Sequence, residues 1–236
     1  MQNRYAGDVG DFGKLGLLRI SAHSGLKLGI NWYLSEDEDH NNDGKHISYL
    51  TNPIYDACDP ELRGELGYLV YGNQRSVRTM EELVLIPGCV YFNGVVPKNI
   101  KDRAAWHQQA LLQLRKTDMV FLDPDNGLEV KSLSPANHFK YVFRSEIEDY
   151  YAAGHSIIFY NHRSHEPDEI YFSRFKELLS FYSLSKADML GLRFSRGTTR
   201  DYIILSQPEH THIIQTSIQE MLKSPWSQHF SRLSQF

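Results

Sequence analysis

The chain is predicted to be an α/β protein of three layers, with a mostly parallel sheet between helices and an antiparallel hairpin at its C-terminal end. Three observations predict this. The runs from Asp118 to Asp123 and from His155 to Tyr160 are continuously apolar between polar ends, the pattern of strands covered on both faces. Strand-like and helix-like segments alternate along the chain, as a sheet flanked by helices requires. Finally, Met189 to Phe194 and Asp201 to Leu205 are joined by a Ser-Arg-Gly-Thr-Thr link, too short for anything but an antiparallel pair.

The elements are expected in the following order. Asp11 to about His23 suits a helix, although Gly13 and Gly16 weaken it by about 1 kcal/mol each relative to Ala. Leu28 to Leu34 is expected as a strand, then a polar loop from Ser35 to Lys45, then a short strand from His46 to Leu50. Asp59 to Tyr71 and Ser76 to Leu85 suit helices, the first opening with Asp59-Pro60, a good cap followed by proline at the first helical position. Cys89 to Phe92 is a strand between Gly88 and Gly94, and Asn99 to Lys116 is the clearest helix, leading into the apolar run that ends at Asp123. Beyond it a helix is expected near Ser145 to Ala153, an amphipathic helix over Pro167 to Phe181, and a last one from about Pro208 to Leu222.

At 236 residues the chain can bury a full core, and no linker, repeat or low-complexity tract divides it, so residues 1–236 are expected to form one domain. A net charge of −4 argues against coating nucleic acid by bulk positive charge, while leaving room for a local basic patch. The N-terminus lacks the apolar core of a signal peptide, and no apolar stretch approaches the ~18 residues of a membrane span. Cys58 and Cys89 are too few for a disulfide framework. A cytoplasmic protein with no membrane partner is the expectation; no feature sets an oligomeric state.

The strongest motif is Asp123-Pro124-Asp125-Asn126-Gly127. A carboxylate ends a buried strand, Pro124 stiffens the exit and Asn126-Gly127 makes a tight turn. In open α/β sheets ligands bind beyond the carboxyl ends of the strands, which places Asp123, Tyr160-Asn161-His162 and the loop after Leu34 along one rim. Methylation of an amino group needs such an acceptor, which takes hydrogen bonds from the NH2 and turns its lone pair toward the methyl donor. The alternative for the motif is a turn in which Asp123 caps local N–H groups.

Asp123, Asp125 and Glu129, with Lys131, could serve a magnesium-dependent nuclease or phosphodiesterase, although such enzymes carry the second carboxylate on a neighbouring strand. The acidic loop Glu36–Gly44 fails as an EF-hand, because Leu50 falls where the bidentate Glu belongs. Gly13-Lys14 fails as a P-loop, since Asp8 and Leu15 replace its Gly and Ser/Thr. His162, His165 and Glu166 fall short of a zinc ligand set, and no metal is expected. The glycines at 7, 10, 13 and 16 imply close backbone approach, to a ligand or to another element. Arg193, Arg196 and Arg200 around the hairpin suit phosphate contact, or pairing with Asp201.

The segments Asn3-Arg4-Tyr5-Ala6-Gly7-Asp8-Val9-Gly10-Asp11-Phe12-Gly13-Lys14 and Phe121-Leu122-Asp123-Pro124-Asp125-Asn126-Gly127-Leu128-Glu129 resemble those of an uncharacterised bacterial protein family. More distantly, the layout resembles the Rossmann-like methyltransferases that modify adenine N6 in large-subunit ribosomal RNA. Those open with Ala-Gly-Asn-x-x-Asp-x-x-Lys, matched here by Ala6-Gly7-Asp8, Asp11 and Lys14 with Asp for Asn. Their catalytic Asp-Pro-Pro-Tyr is approached by Asp123-Pro124-Asp125-Asn126, and Gly197 to Leu205 is similar to their closing hairpin.

The resemblance implies a class I methyltransferase-like fold, S-adenosylmethionine as cofactor, and methyl transfer to an amino group, with nucleic acid as a candidate partner. Asp123 would orient the acceptor, with Pro124, Asp125 and Asn126 completing the pocket. Asn31, Trp32 and the loop through Asp43 would hold the cofactor, with Asp11 and Lys14 at the entrance. The chain departs from that pattern at two points. Asn31-Trp32-Tyr33-Leu34-Ser35 replaces the glycine-rich turn after the first strand, and Asn126 replaces the aromatic that stacks on a flipped base. A binding module without catalysis is the remaining alternative.

Overall fold

Burial of strand residues on alternate faces organises the molecule. In the computed structural model, which describes residues 1–37 and 44–236, Ile30, Phe121, Ile158, Tyr202 and Ile204 enter one core cluster. Their neighbours Val120, Leu122, Ile157, Phe159, Ile203 and Leu205 enter a second cluster on the opposite face. This period-2 division of fully apolar strands is what helices on both faces impose.

The chain opens with helix α1 (Val9–His23), strand β1 (Leu28–Asn31), helices α2 (Pro60–Tyr71) and α3 (Val77–Glu82), and strand β2 (Val90–Phe92). Helix α4 (Ile100–Leu114) leads to β3 (Met119–Leu122), followed by the short strands β4 (Gly127–Leu128) and β5 (Tyr141–Val142). Then come α5 (Arg144–Ala152), β6 (Ser156–His162), α6 (Asp168–Lys176), the hairpin β7 (Asp188–Arg196) and β8 (Thr198–Ser206), helix α7 (Thr211–Lys223) and β9 (Phe230–Arg232). The main sheet has the order β2-β1-β3-β6-β8-β7-β9. Its first four strands are parallel. Strand β8 runs against β6 on one side and β7 on the other, so the reversed strand of the hairpin lies inside the sheet.

The α/β class, the mostly parallel sheet and the antiparallel hairpin agree with the sequence expectation. One expected element is absent. His46 to Leu50 is not a strand; Ser48–Thr51 forms a 3-10 turn that buries Tyr49 and Leu50 against α1 and α2. The β4–β5 ribbon and β9 were not expected, being only two and three residues long. The acidic loop residues Asp39, Asn41 and Asp43 lie outside the described residues.

The glycines of α1 are explained by packing. A Cβ at Gly13 would come within 2.6 Å of the Phe194 ring, and one at Gly16 within 2.3 Å of the Trp226 ring. Side chains from the hairpin and the C-terminal segment thus press directly on the helix backbone. That contact brings the start of α1 over the carboxyl ends of β1, β3 and β6.

Candidate functional site

The first residues of α1 are fixed by their own side chains. Asp8 caps the helix, its Oδ1 accepting from Asp11 N at 2.9 Å, while Asp11 Oδ2 accepts from Gly7 N at 3.0 Å. One turn on, Lys14 points at the sheet. Its Nζ donates to Asp11 Oδ1 at 2.8 Å and to Asp123 Oδ2 at 2.7 Å. All three side chains are buried. Burial alone would strip the proton from Lys14, but the Asp11 and Asp123 carboxylates override it and hold the ammonium charged.

Asp123 is delivered by β3, whose neighbour β1 accepts its backbone N–H at Asn31 O, 3.0 Å away. Burial pushes the Asp123 carboxyl above the usual carboxylate range, against the pull of Lys14 and of the Met1 ammonium. Its Oδ1 accepts no hydrogen bond among the described residues. Asp125 turns toward the N-terminal segment. Its Oδ1 lies 2.8 Å from the Met1 ammonium, and its Oδ2 accepts from Gln2 Nε2 at 2.9 Å and Ser35 Oγ at 3.0 Å. Although burial acts the other way, this ammonium and these donors hold Asp125 below its ordinary range.

The turn itself is clamped from β6. Asn161 Oδ1 accepts from Leu128 N at 2.8 Å, and His162 N donates to Asn126 O at 3.1 Å. Gly127, at φ +111°, has no room for a side chain, since a Cβ would lie 2.0 Å from Asn161 Oδ1.

Together these residues line a cleft of about 380 Å³, within the ~300–1,000 Å³ typical of small-molecule sites. Asp11, Lys14, Asp123, Pro124, Asp125 and Asn126 all reach it, as do Tyr160 and His162. Asn31 and Trp32 do not. Asn31 is fully buried, donating to Tyr150 OH at 3.1 Å and accepting from Tyr33 N at 3.1 Å. Trp32 is also buried, and its Nε1 donates to Glu81 Oε1 at 2.7 Å. Glu129 lies apart from Asp123 and Asp125, its Oε1 accepting from Arg144 N at 2.8 Å. Among the described residues, no three His, Cys, Asp or Glu side chains converge as metal ligands.

Two contributors carried no signal in the sequence. The Met1 ammonium donates to Trp32 O, Tyr33 O and Asp123 O at 3.2, 3.0 and 3.1 Å, so Met1 fills the crevice between the ends of β1 and β3. Gln2 follows it onto Asp125. Asp8, by contrast, carried the ordinary signature of a helix cap, an Asp with a carboxylate three residues on. Compared with known proteins, the chain matches no family model and no curated protein.

Proposed function

We propose that the cleft receives an amino group for methyl transfer from S-adenosylmethionine, with Asp123 orienting the acceptor nitrogen. The observation that carries this reading is the state of Asp123: it follows a buried strand and lines a ligand-sized cleft, with Oδ2 held by Lys14 and Oδ1 accepting no hydrogen bond among the described residues. An NH2 group donating to Oδ1 would have its lone pair directed away from the carboxylate. Lys14 holds that carboxylate at Oδ2 and supplies a counter-charge that opposes the effect of its burial. Pro124 and Asn126 wall the same space, and Tyr160, half-buried beside them, offers an aromatic face to a planar acceptor such as a nucleobase of nucleic acid. The reversed strand β8 between β6 and β7 supports a methyltransferase-like fold, whose last two strands close the sheet as such a hairpin.

S-adenosylmethionine would supply the methyl group. The residues expected to seat it after β1 do not fit it: Asn31 and Trp32 are turned inward and fully partnered. Tyr33, at φ +48°, puts a large side chain where a glycine turn would let the cofactor approach the backbone. Met1 fills the adjoining crevice. The same observation favours a second reading, a module that binds an amine-bearing ligand without turnover.

Calorimetric titration with S-adenosylmethionine and S-adenosylhomocysteine separates the two. Saturable binding, together with methylation lost in folded Asp123→Asn, is the expected result for the enzyme. Absence of binding discards methyl transfer and leaves the binding module.

A further inference from the structure

We propose that the ligand of this cleft carries an oxyanion, phosphate or carboxylate, as well as its amine, and that Arg200 receives it. The amine half rests on the reading of Asp123 above; the oxyanion half does not. Three arginines follow one another around the closing hairpin, and the structure separates them. Arg193 spends its guanidinium on Asp201, with Nε to Oδ1 and Nη2 to Oδ2 both at 2.8 Å. Arg196 donates to His229 Nδ1 at 2.9 Å and Gln228 O at 2.6 Å. Of the three, Arg200 alone lines the cleft, at the end formed with Thr198 and His46.

The way Arg200 is held leaves it available. Its Nη1 is anchored by Arg196 O at 2.9 Å and Thr198 O at 3.3 Å. Its Nη2 reaches Asp8 Oδ2 only at 3.5 Å, the outer limit of a hydrogen bond, and the other oxygen of Asp8 is committed to capping α1. The guanidinium lies flat on the first turn of the helix, where a Cβ on Gly10 would come within 2.4 Å of Cζ. Residue 10 being glycine is what lets the group sit there.

The other acidic groups of the cleft have cations of their own at the floor. Asp11 and Asp123 share Lys14, and Asp125 holds the Met1 ammonium. Among the described residues, Arg200 has one carboxylate within ion-pair reach, Asp8 at 3.5 Å. Burial opposes its charge, but the Asp8 carboxylate and its neighbours keep it protonated. A planar fork so placed matches the two oxygens of a phosphate or carboxylate, which would replace a poor ion pair with a good one. The cleft is thus polarised, with an acceptor for an amine at Asp123 and a donor fork for an oxyanion at Arg200.

The test is a titration of the folded protein with inorganic phosphate and with acetate at constant ionic strength, followed by amide chemical shifts. Saturable shifts around Gly10 and Arg200 are expected, and the stronger of the two anions identifies the oxyanion. Arg200→Gln should weaken that binding by about tenfold or more, with Arg200→Lys, which keeps the charge and loses the fork, in between. Asp8→Asn keeps the helix cap and removes the competing carboxylate, so it should tighten binding several-fold; a purely structural role for Arg200 predicts no such gain. Equal affinity in wild type and Arg200→Gln, no effect of Asp8→Asn, or no saturable shift with either anion overturns the proposal.

The amine half has its own signature. O-phosphoethanolamine or β-alanine should bind about tenfold tighter than the matching simple anion, and Asp123→Asn should erase that difference. Loss of that gain with the Arg200 dependence intact would refute the amine reading of Asp123 and leave the oxyanion site standing.

Discussion

The loops after β1 and β3 start side by side, with Asn31 paired to Leu122 in the sheet, and each opens on a buried polar residue, yet they have different fates. Asn31 uses its carbonyl oxygen on Tyr33 N and its amide on Tyr150 OH, and it is fully buried and does not line the cleft. Asp123 has one oxygen on Lys14, the other accepts no hydrogen bond among the described residues, and the residue lines the cleft. Strand-end position selected both residues as candidates; the hydrogen-bond inventory tells them apart. A polar group at the end of a buried strand is part of the scaffold when it is enclosed with its partners, and part of a site when it also lines the cleft.

The sharpest way to break this comparison is to remove the cation that makes Asp123 tolerable. Lys14→Met leaves the carboxylates of Asp11 and Asp123 buried without it, and losing one side of a buried ion pair costs about 3–5 kcal/mol. Urea unfolding should show a loss of that order, and a loss below about 1 kcal/mol would mean Lys14 is not their shared counter-ion. Asn31→Ala comes next. It strands Tyr33 N and Tyr150 OH inside the protein, and each unsatisfied buried group costs about 1–3 kcal/mol. Its folded fraction should bind ligands of the cleft as wild type does, whereas Asp123→Asn, which leaves Lys14 paired with Asp11, should abolish amine-dependent binding. Smaller effects are expected from Gly13→Ala and Gly16→Ala, where overpacking against Phe194 and Trp226 should cost about 1–3 kcal/mol. A neutral result in thermal melts would show that the hairpin and C-terminal segment yield easily, and that α1 is not held over the strand ends by them.

Much of the fold was legible because its signals are local. The run Met119–Leu122 is apolar throughout since both of its faces are covered, and Asp59-Pro60 caps α2 as its sequence suggests, with Asp59 Oδ1 accepting from Leu62 N. The strand expected at His46–Leu50 failed because alternating apolar residues can also be buried by a turn, as Tyr49 and Leu50 are. The site was legible only in part. The turn after β3 was visible, and so were Asp11 and Lys14, one helical turn apart on α1. That Lys14 meets Asp123 across 109 positions, that Met1 fills the crevice between two strands, and that Asn31 turns inward are all long-range facts. Tertiary packing decides them, and no periodicity encodes it.

Asp123 and Asp125 carry the comparison to its finest scale, because they are two residues apart and their protons should behave oppositely. Asp125 is depressed below its ordinary 3.8, the Met1 ammonium, Gln2 and Ser35 outweighing burial. A depressed carboxyl contributes stability above its unfolded pKa and loses it as pH falls through the folded value. Its contribution is therefore full at neutral pH and disappears on the acid side of 3.8. Asp123 is raised by burial despite Lys14, so its contribution has the other sign: full below 3.8 and lost as pH rises through its folded value. In a carboxyl carbon-13 titration the Asp123 midpoint should lie above that of Asp125. The stability deficit of Asp125→Asn, measured against wild type, should shrink as the pH is taken down through the acid range. Coincident midpoints, or a deficit that grows on acidification, would mean that the N-terminal segment does not hold Asp125 as described. The difference between the two carboxylates would then have to be sought in geometry alone.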